Sequence, residues 1–166
     1  MTEQQILNRP LKRAWLDAAL RAARLTQNAD DRQTILDEVL FDEGLGETAI
    51  KKTTRVLKNI WWEPPKHSSD LIKWAQDFNE PVDTRVLHIG AMLGSYPFIG
   101  TIYGAIGKIS RQTDMIGNTD VKSRVISKWG DRESVQRAVL MALNTLKSLE
   151  ILRGEPNSAQ SQLRSP

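Results

Sequence analysis

The chain contains no cysteine. That excludes a disulfide framework, an iron–sulfur cluster and a thiol nucleophile, and it fits a reducing, cytoplasmic setting. Only two histidines are present, His67 and His88, and with no cysteine beside them they form no zinc-ligand pattern. His67 sits in a proline-containing stretch. His88 sits in an apolar segment, where a core histidine bonded to a neighbour is the expectation. The phosphate-cradling pattern GxxxxGK[ST] is missing, and no GxGxxG follows a strand. No pair of carboxylates stands apart from the scatter of surface acids. An enzyme is therefore not expected, nor a metal or other cofactor. Residues 1–5 are polar and lack the apolar core of a secretory signal.

The 166 residues that are there suit one compact domain or two small helical subdomains. Hydrophobic residues make up 40% and charged residues 26%, both ordinary for a globular chain. The net charge of +3 permits a polyanionic partner without demanding one, so the question is whether the 23 Lys and Arg residues are segregated onto faces. Residues 86–107 carry no Asp, Glu, Lys or Arg, and that length is enough to span a bilayer. Yet the stretch holds five glycines, His88, Ser95, Thr101 and a central Tyr96-Pro97. Proline disfavours helix at the residue before it, so the expectation is two short buried helices with a break between them.

Apolar spacing lays out the remaining helices. Trp15, Leu16, Ala19, Leu20 and Ala23 predict a helix over 10–25, with Lys12, Arg13, Arg21 and Arg24 on its other face. Asn28 to Asp31 supply caps for a second helix with Ile35, Leu36, Val39 and Leu40 inward, stopped by Gly44-Leu45-Gly46. A third helix opens at Glu47-Thr48 and runs to Trp61. Pro64-Pro65 starts a linker, a short helix follows over 69–78, and Pro81-Val82-Asp83 resets the chain. A turn near residues 117–120 precedes a helix from Val121 to Trp129. Gly130 stops it, and Asp131 caps a long helix bearing Val135, Ala138, Val139, Ala142, Leu146 and Leu149. Residues 150–153 have the look of a brief strand, and 154–166 that of a disordered tail.

Two helix–turn–helix patterns carry the functional expectation. On an ideal helix of about 100° per residue, Ile50, Thr54, Leu57 and Trp61 form one stripe, with Lys51, Lys52, Arg55, Lys58 and Asn59 opposite. The preceding helix is acidic, with Asp37, Glu38, Asp42 and Glu43. A recognition helix packs by such a stripe and offers cations to phosphates, while Arg55 and Asn59 are of the types that read guanine and adenine. The bland alternative is a solvated lysine face. In the second pattern a short helix with Lys122, Arg124 and Lys128 leads through Gly130 to a long helix that starts with Arg132, Gln136 and Arg137. Those proportions are of a winged-helix core, and the apolar Leu149, Ile151 and Leu152 suit the start of a minimal wing. Winged helices also serve as protein–protein modules. Trp15, Trp74 and Trp129 are expected in cores or subdomain contacts. Trp61 and Trp62 cannot both face inward on a straight helix, so one of them is a candidate protein-interface anchor, unless the helix end folds back.

These features resemble the BrxA family of BREX phage-resistance systems. The resemblance rests on residues 35–40, Gly44-Leu45-Gly46, residues 48–61, Tyr96-Pro97-Phe98, and residues 134–152, where a helix runs into Leu149-Glu150-Ile151-Leu152. It covers somewhat more than half the chain. It implies a non-enzymatic DNA-binding accessory protein, with other subunits of a bacterial defence complex as partners.

The expected fold is thus all-α in two packed subdomains: residues 1–62 helix–turn–helix-like, 63–83 a linker with a short helix, 84–153 winged-helix-like, and 154–166 a tail. The expected activity is binding of double-stranded DNA in the cytoplasm, without a membrane, driven by phosphate contacts. An assembly adaptor meeting protein partners, and a membrane-associated helical protein, are the alternatives. Target sequence and oligomeric state are not legible.

Overall fold

A computed structural model of the chain describes residues 6–78, 82–154 and 158–163. Among these residues there are eight α-helices and one three-stranded antiparallel sheet, so the all-α class with a minimal β element holds. The described residues divide into two compact units, one covering Arg13–Ser95, the other joining the stretch up to Lys12 with everything from Tyr96 onward.

The first unit contains α1 (Arg13–Leu25), α2 (Ala29–Asp42), α3 (Glu47–Trp61), a 3-10 turn (Lys66–Ser68), α4 (Ser69–Asp77) and α5 (Thr84–Ser95). Asn28 caps α2, its Oδ1 accepting from the backbone N–H of Asp30 at 2.8 Å and of Asp31 at 3.3 Å. Gly44, at φ +80°, ends the α2 turn in a conformation that favours glycine. Leu36 and Leu40 of α2 are buried, while Ile35 and Val39 are only half-buried. The buried side of α3 is wider than the expected stripe, because Thr53, Val56 and Ile60 join Thr54, Leu57 and Trp61. Ile50 is half-buried.

Residues 63–83 are not a free linker. The Arg24 guanidinium donates to the carbonyls of Gln76, Ala75 and Phe78 at 3.0, 3.1 and 2.7 Å, closing the open end of α4 against α1. The Trp62 indole donates to the Ala19 carbonyl at 3.0 Å. The expected reset at Pro81 lies outside the described residues. Asp83 accepts from the Arg85 N–H at the start of α5, as a capping aspartate does. From α5, His88 reaches Asp17 of α1 at 2.8 Å, and its ring meets Trp61 edge-on with centroids 5.5 Å apart. Those bonds tie α4 and α5 to the helices before them, so the boundary falls at Tyr96, not near residue 62.

The second unit contains α6 (Pro97–Ile109), β1 (Met115–Gly117), α7 (Asn118–Trp129), α8 (Glu133–Ser148), β2 (Leu152–Arg153) and β3 (Gln160–Leu163). The charge-free stretch is therefore two helices split at Tyr96, and no single helix among the described residues is long and apolar enough to cross a membrane. Gly130, at φ +84°, makes the turn between α7 and α8. Asp131 does not cap α8. Arg132 holds the cap position with no side-chain bond to the helix start, and Asp131 instead accepts from the Gln136 amide. The expected apolar face of α8 is buried throughout, and the Leu11 N–H donates to Thr145 Oγ1 on the same helix at 2.9 Å.

The sheet has the order β1-β3-β2, with Met115 opposite Gln162 and Leu152 opposite Leu163. Strand β1 has no counterpart among the expected elements, and β3 replaces part of the expected disordered tail, because its backbone pairs with a strand on each side. Residues 155–157 and 164–166 of that tail lie outside the described residues.

The His88 ring has 0% exposure, so its bond to Asp17 decides whether a buried donor is paired. A carboxylate can only accept, hence Nε2 carries the proton and donates. The bond from His88 is the largest cause holding the Asp17 pKa below its ordinary 3.8. Asp17→Ala is expected to lower stability by roughly 1–3 kcal/mol at neutral pH, read as a lower urea midpoint. A group with a depressed native pKa stabilises fully above its unfolded value. The parent's advantage is therefore lost as pH falls below 3.8 and through the native pKa. Equal midpoints at pH 7 would contradict this role.

Candidate nucleic-acid interface

The basic residues of α3 lie where the helical period puts them, with Lys51, Lys52 and Arg55 exposed and Lys58 and Asn59 half-buried. Carboxylates at both ends of the helix reach into the face. Lys51 Nζ sits 2.6 Å from Glu47 Oε1, one helical turn back, which raises the lysine pKa and lowers that of the glutamate. Lys58 Nζ lies 3.3 Å from Glu63 Oε1. Among the described residues Lys52 and Arg55 have no such carboxylate partner. Two of the four cations are thus paired within their own unit, and the α3 face is less basic than its sequence. On α1, Arg24 is engaged in closing α4 and is not a surface cation free for a ligand.

The α7–α8 hairpin gathers the second set. Arg124, Lys128, Arg132 and Arg137 are exposed, and Lys122 and Gln136 are half-buried. α8 turns Val135, Ala138, Val139, Ala142, Leu143 and Leu146 into the unit, which leaves Glu133, Gln136, Arg137 and Leu140 pointing outward over two turns. Those four, with Asn118, Thr119 and Lys122 from the start of α7, line an open groove of about 350 Å³. The α7 N-terminus therefore lies beside the outward face of α8, with the Asn118 N–H bonded to the Ala159 carbonyl and Asp120 in the first turn.

The polar side chains at the start of α8 are bonded locally. Arg137 pairs with Glu133 at 2.6 Å, one turn away, and both side chains are largely exposed. Gln136 donates to Asp131, and the Arg132 guanidinium donates to the Trp129 carbonyl at 3.3 Å. An exposed pair at this spacing is worth only about 0.3–0.5 kcal/mol. It is weak enough to be exchanged for an incoming anion. Leu140 is the one strongly apolar lining residue, and 42% of its surface is exposed.

Asn118, Thr119, Glu133 and Leu140 are not among the candidates that the sequence points to. Asn118 falls in a turn pattern, and Leu140 lies just off the apolar stripe of α8. The tryptophans also differ from expectation. Trp61 is fully buried and Trp62 half-buried, its indole bonded to α1. Neither is an exposed anchor. Trp15 and Trp129 are buried as expected, but Trp74 is 56% exposed and packs on Phe78 at 4.9 Å between ring centroids. Among the described residues no group of three or more His, Cys, Asp or Glu is placed to hold a metal ion. Comparison with protein-family models, curated proteins and solved structures returned no match.

Since Trp62 packs within its own unit, Trp62→Ala is expected to act on stability, lowering the urea midpoint by an amount worth about 2 kcal/mol. A variant with an unchanged midpoint would return Trp62 to the surface role suggested by sequence.

Proposed function

We propose that this chain is a non-enzymatic protein that binds duplex DNA, with the α7–α8 hairpin as its main contact and the α3 face as a further source of phosphate contacts. One observation carries the reading. The elements α6-β1-α7-α8-β2-β3, with sheet order β1-β3-β2, follow the connectivity of a winged helix, and the helix in the recognition position turns a polar stripe that includes Arg137 outward. In such a module the start of the first hairpin helix meets the phosphate backbone while the second helix enters the major groove. Lys122 and the α7 N-terminus suit the first task. Arg124, Lys128 and Arg132 are exposed on the same hairpin outside the groove, and Arg137 can leave Glu133 for a phosphate at little cost. In the other unit, Lys52 and Arg55 are the cations of α3 best suited to a phosphate contact of their own, with Lys51 and Lys58 held by their glutamates and Asn59 half-buried beside them.

The resemblance to the BrxA family extends this reading to an accessory component of a bacterial phage-defence complex acting in the cytoplasm. That extension rests on the sequence resemblance alone. The adaptor alternative loses its proposed anchors with the inward placement of Trp61 and Trp62.

The test compares two multiple variants on a random duplex across a salt series. Replacing Lys122, Arg124 and Arg137 together by Ala is expected to flatten the slope of log K against log salt by about 2–3, close to 0.9 for each phosphate no longer neutralised. Replacing Lys51, Lys52, Arg55 and Lys58 is expected to flatten it less, by about 1–2. Glu133→Gln, which releases Arg137, should raise affinity about twofold. Parent-like slopes in both multiple variants would remove the proposed surfaces.

A further inference from the structure

The groove holds one feature that phosphate binding does not use. Leu140 stands exposed in the middle of the outward face of α8, one helical turn after Gln136, and both line the same groove as Lys122. Residues four apart on a helix have Cβ atoms about 5–6 Å apart, so this pair spans one to two base-pair steps of about 3.4 Å each. The two side chains also match one base pair chemically. The major-groove edge of adenine presents an acceptor and a donor that a carboxamide meets with two bonds, and thymine carries the only methyl group in that groove. The Gln136 amide is bonded to an exposed Asp131 carboxylate, a partner it can leave. Arg137 and Glu133, which would favour a G·C pair, neutralise one another at 2.6 Å.

Building on the DNA-binding reading, we infer that α8 selects an A·T pair in the major groove, with Leu140 against the thymine methyl and Gln136 on adenine. Leu140 is then a specificity-determining residue, not a misplaced core residue. Lys122 and the α7 N-terminus set the depth and register of the helix, and the leucine and glutamine supply the preference.

The test uses three duplexes of equal length at one low salt concentration: alternating A·T, the same duplex with deoxyuridine replacing thymidine, and alternating G·C. The parent should bind the A·T duplex about fourfold more tightly than its deoxyuridine counterpart, the effect expected of one buried methyl group. It should bind the G·C duplex roughly tenfold more weakly than the A·T duplex. Leu140→Ala should bind the thymidine and deoxyuridine duplexes equally and keep its affinity for the G·C duplex. Gln136→Ala should keep the methyl effect and reduce the preference for A·T over G·C to about fourfold. If the parent binds thymidine and deoxyuridine duplexes equally, or if Leu140→Ala retains the full difference, the inference fails while DNA binding stands. If the parent binds none of the three, the DNA-binding reading fails as well.

Discussion

The second unit depends on what strand β3 and the residues before it hold together. β3 is the middle strand, pairing with β1 on one side and β2 on the other. β1 runs directly into α7, and β2 follows α8, so the two ladders fix the outer ends of the α7–α8 hairpin. Ser158 and Ala159 reinforce that closure. The Asn118 N–H donates to the Ala159 carbonyl at 2.9 Å and its amide to the Ser158 carbonyl at 2.8 Å. Lys147, near the end of α8, donates to the same Ser158 at 2.8 and 3.1 Å, and its burial lowers its pKa. One short segment thus ties the start of α7 to the end of α8. The outward stripe of α8 and the start of α7 share a groove because both are pinned at this point.

Helix periodicity carries most of the legible structure. The bounds of α3 are readable because a glycine turn precedes it and a proline pair follows, and the inward side of α8 because six apolar residues recur at three- and four-residue spacing. The strands are not readable. β3 is Gln160-Ser161-Gln162-Leu163, with no alternation of large apolar residues, and its stability comes from backbone bonds to partners up to 47 residues away. A composition rich in Ser and Gln reads as a tail unless those partners are known. The unit boundary is hidden for a related reason: Arg24 and His88 make their bonds to elements 52 and 71 residues away, and nothing local marks either as structural.

The candidate site shows the same division. All the cations expected on α7 and α8 lie on the described hairpin surface, since a helical face follows directly from spacing. Their pairing is only partly accessible. Glu47 and Lys51 have the i, i+4 spacing of a helical ion pair and are open to that reading. Lys58 with Glu63 requires knowing how the chain turns after Trp61. Trp62 still makes a helical backbone bond to Lys58, and its indole bond to Ala19 depends on how α1 packs beside α3. Leu140 is the reverse case, an apolar residue whose exposure departs from what its type suggests, and it becomes informative only once the groove around it is defined.

The central claim is that an outward cationic face, built on a winged-helix connectivity, meets the phosphates of duplex DNA. The most direct measurement is binding of the parent protein to a random-sequence fluorescent duplex as salt is raised. Roughly micromolar affinity at low salt, falling linearly in log K against log salt with a slope of about −3 to −5, is the predicted result. Absence of binding at low salt, or an affinity indifferent to salt, would contradict the account and leave the hairpin as a purely structural element.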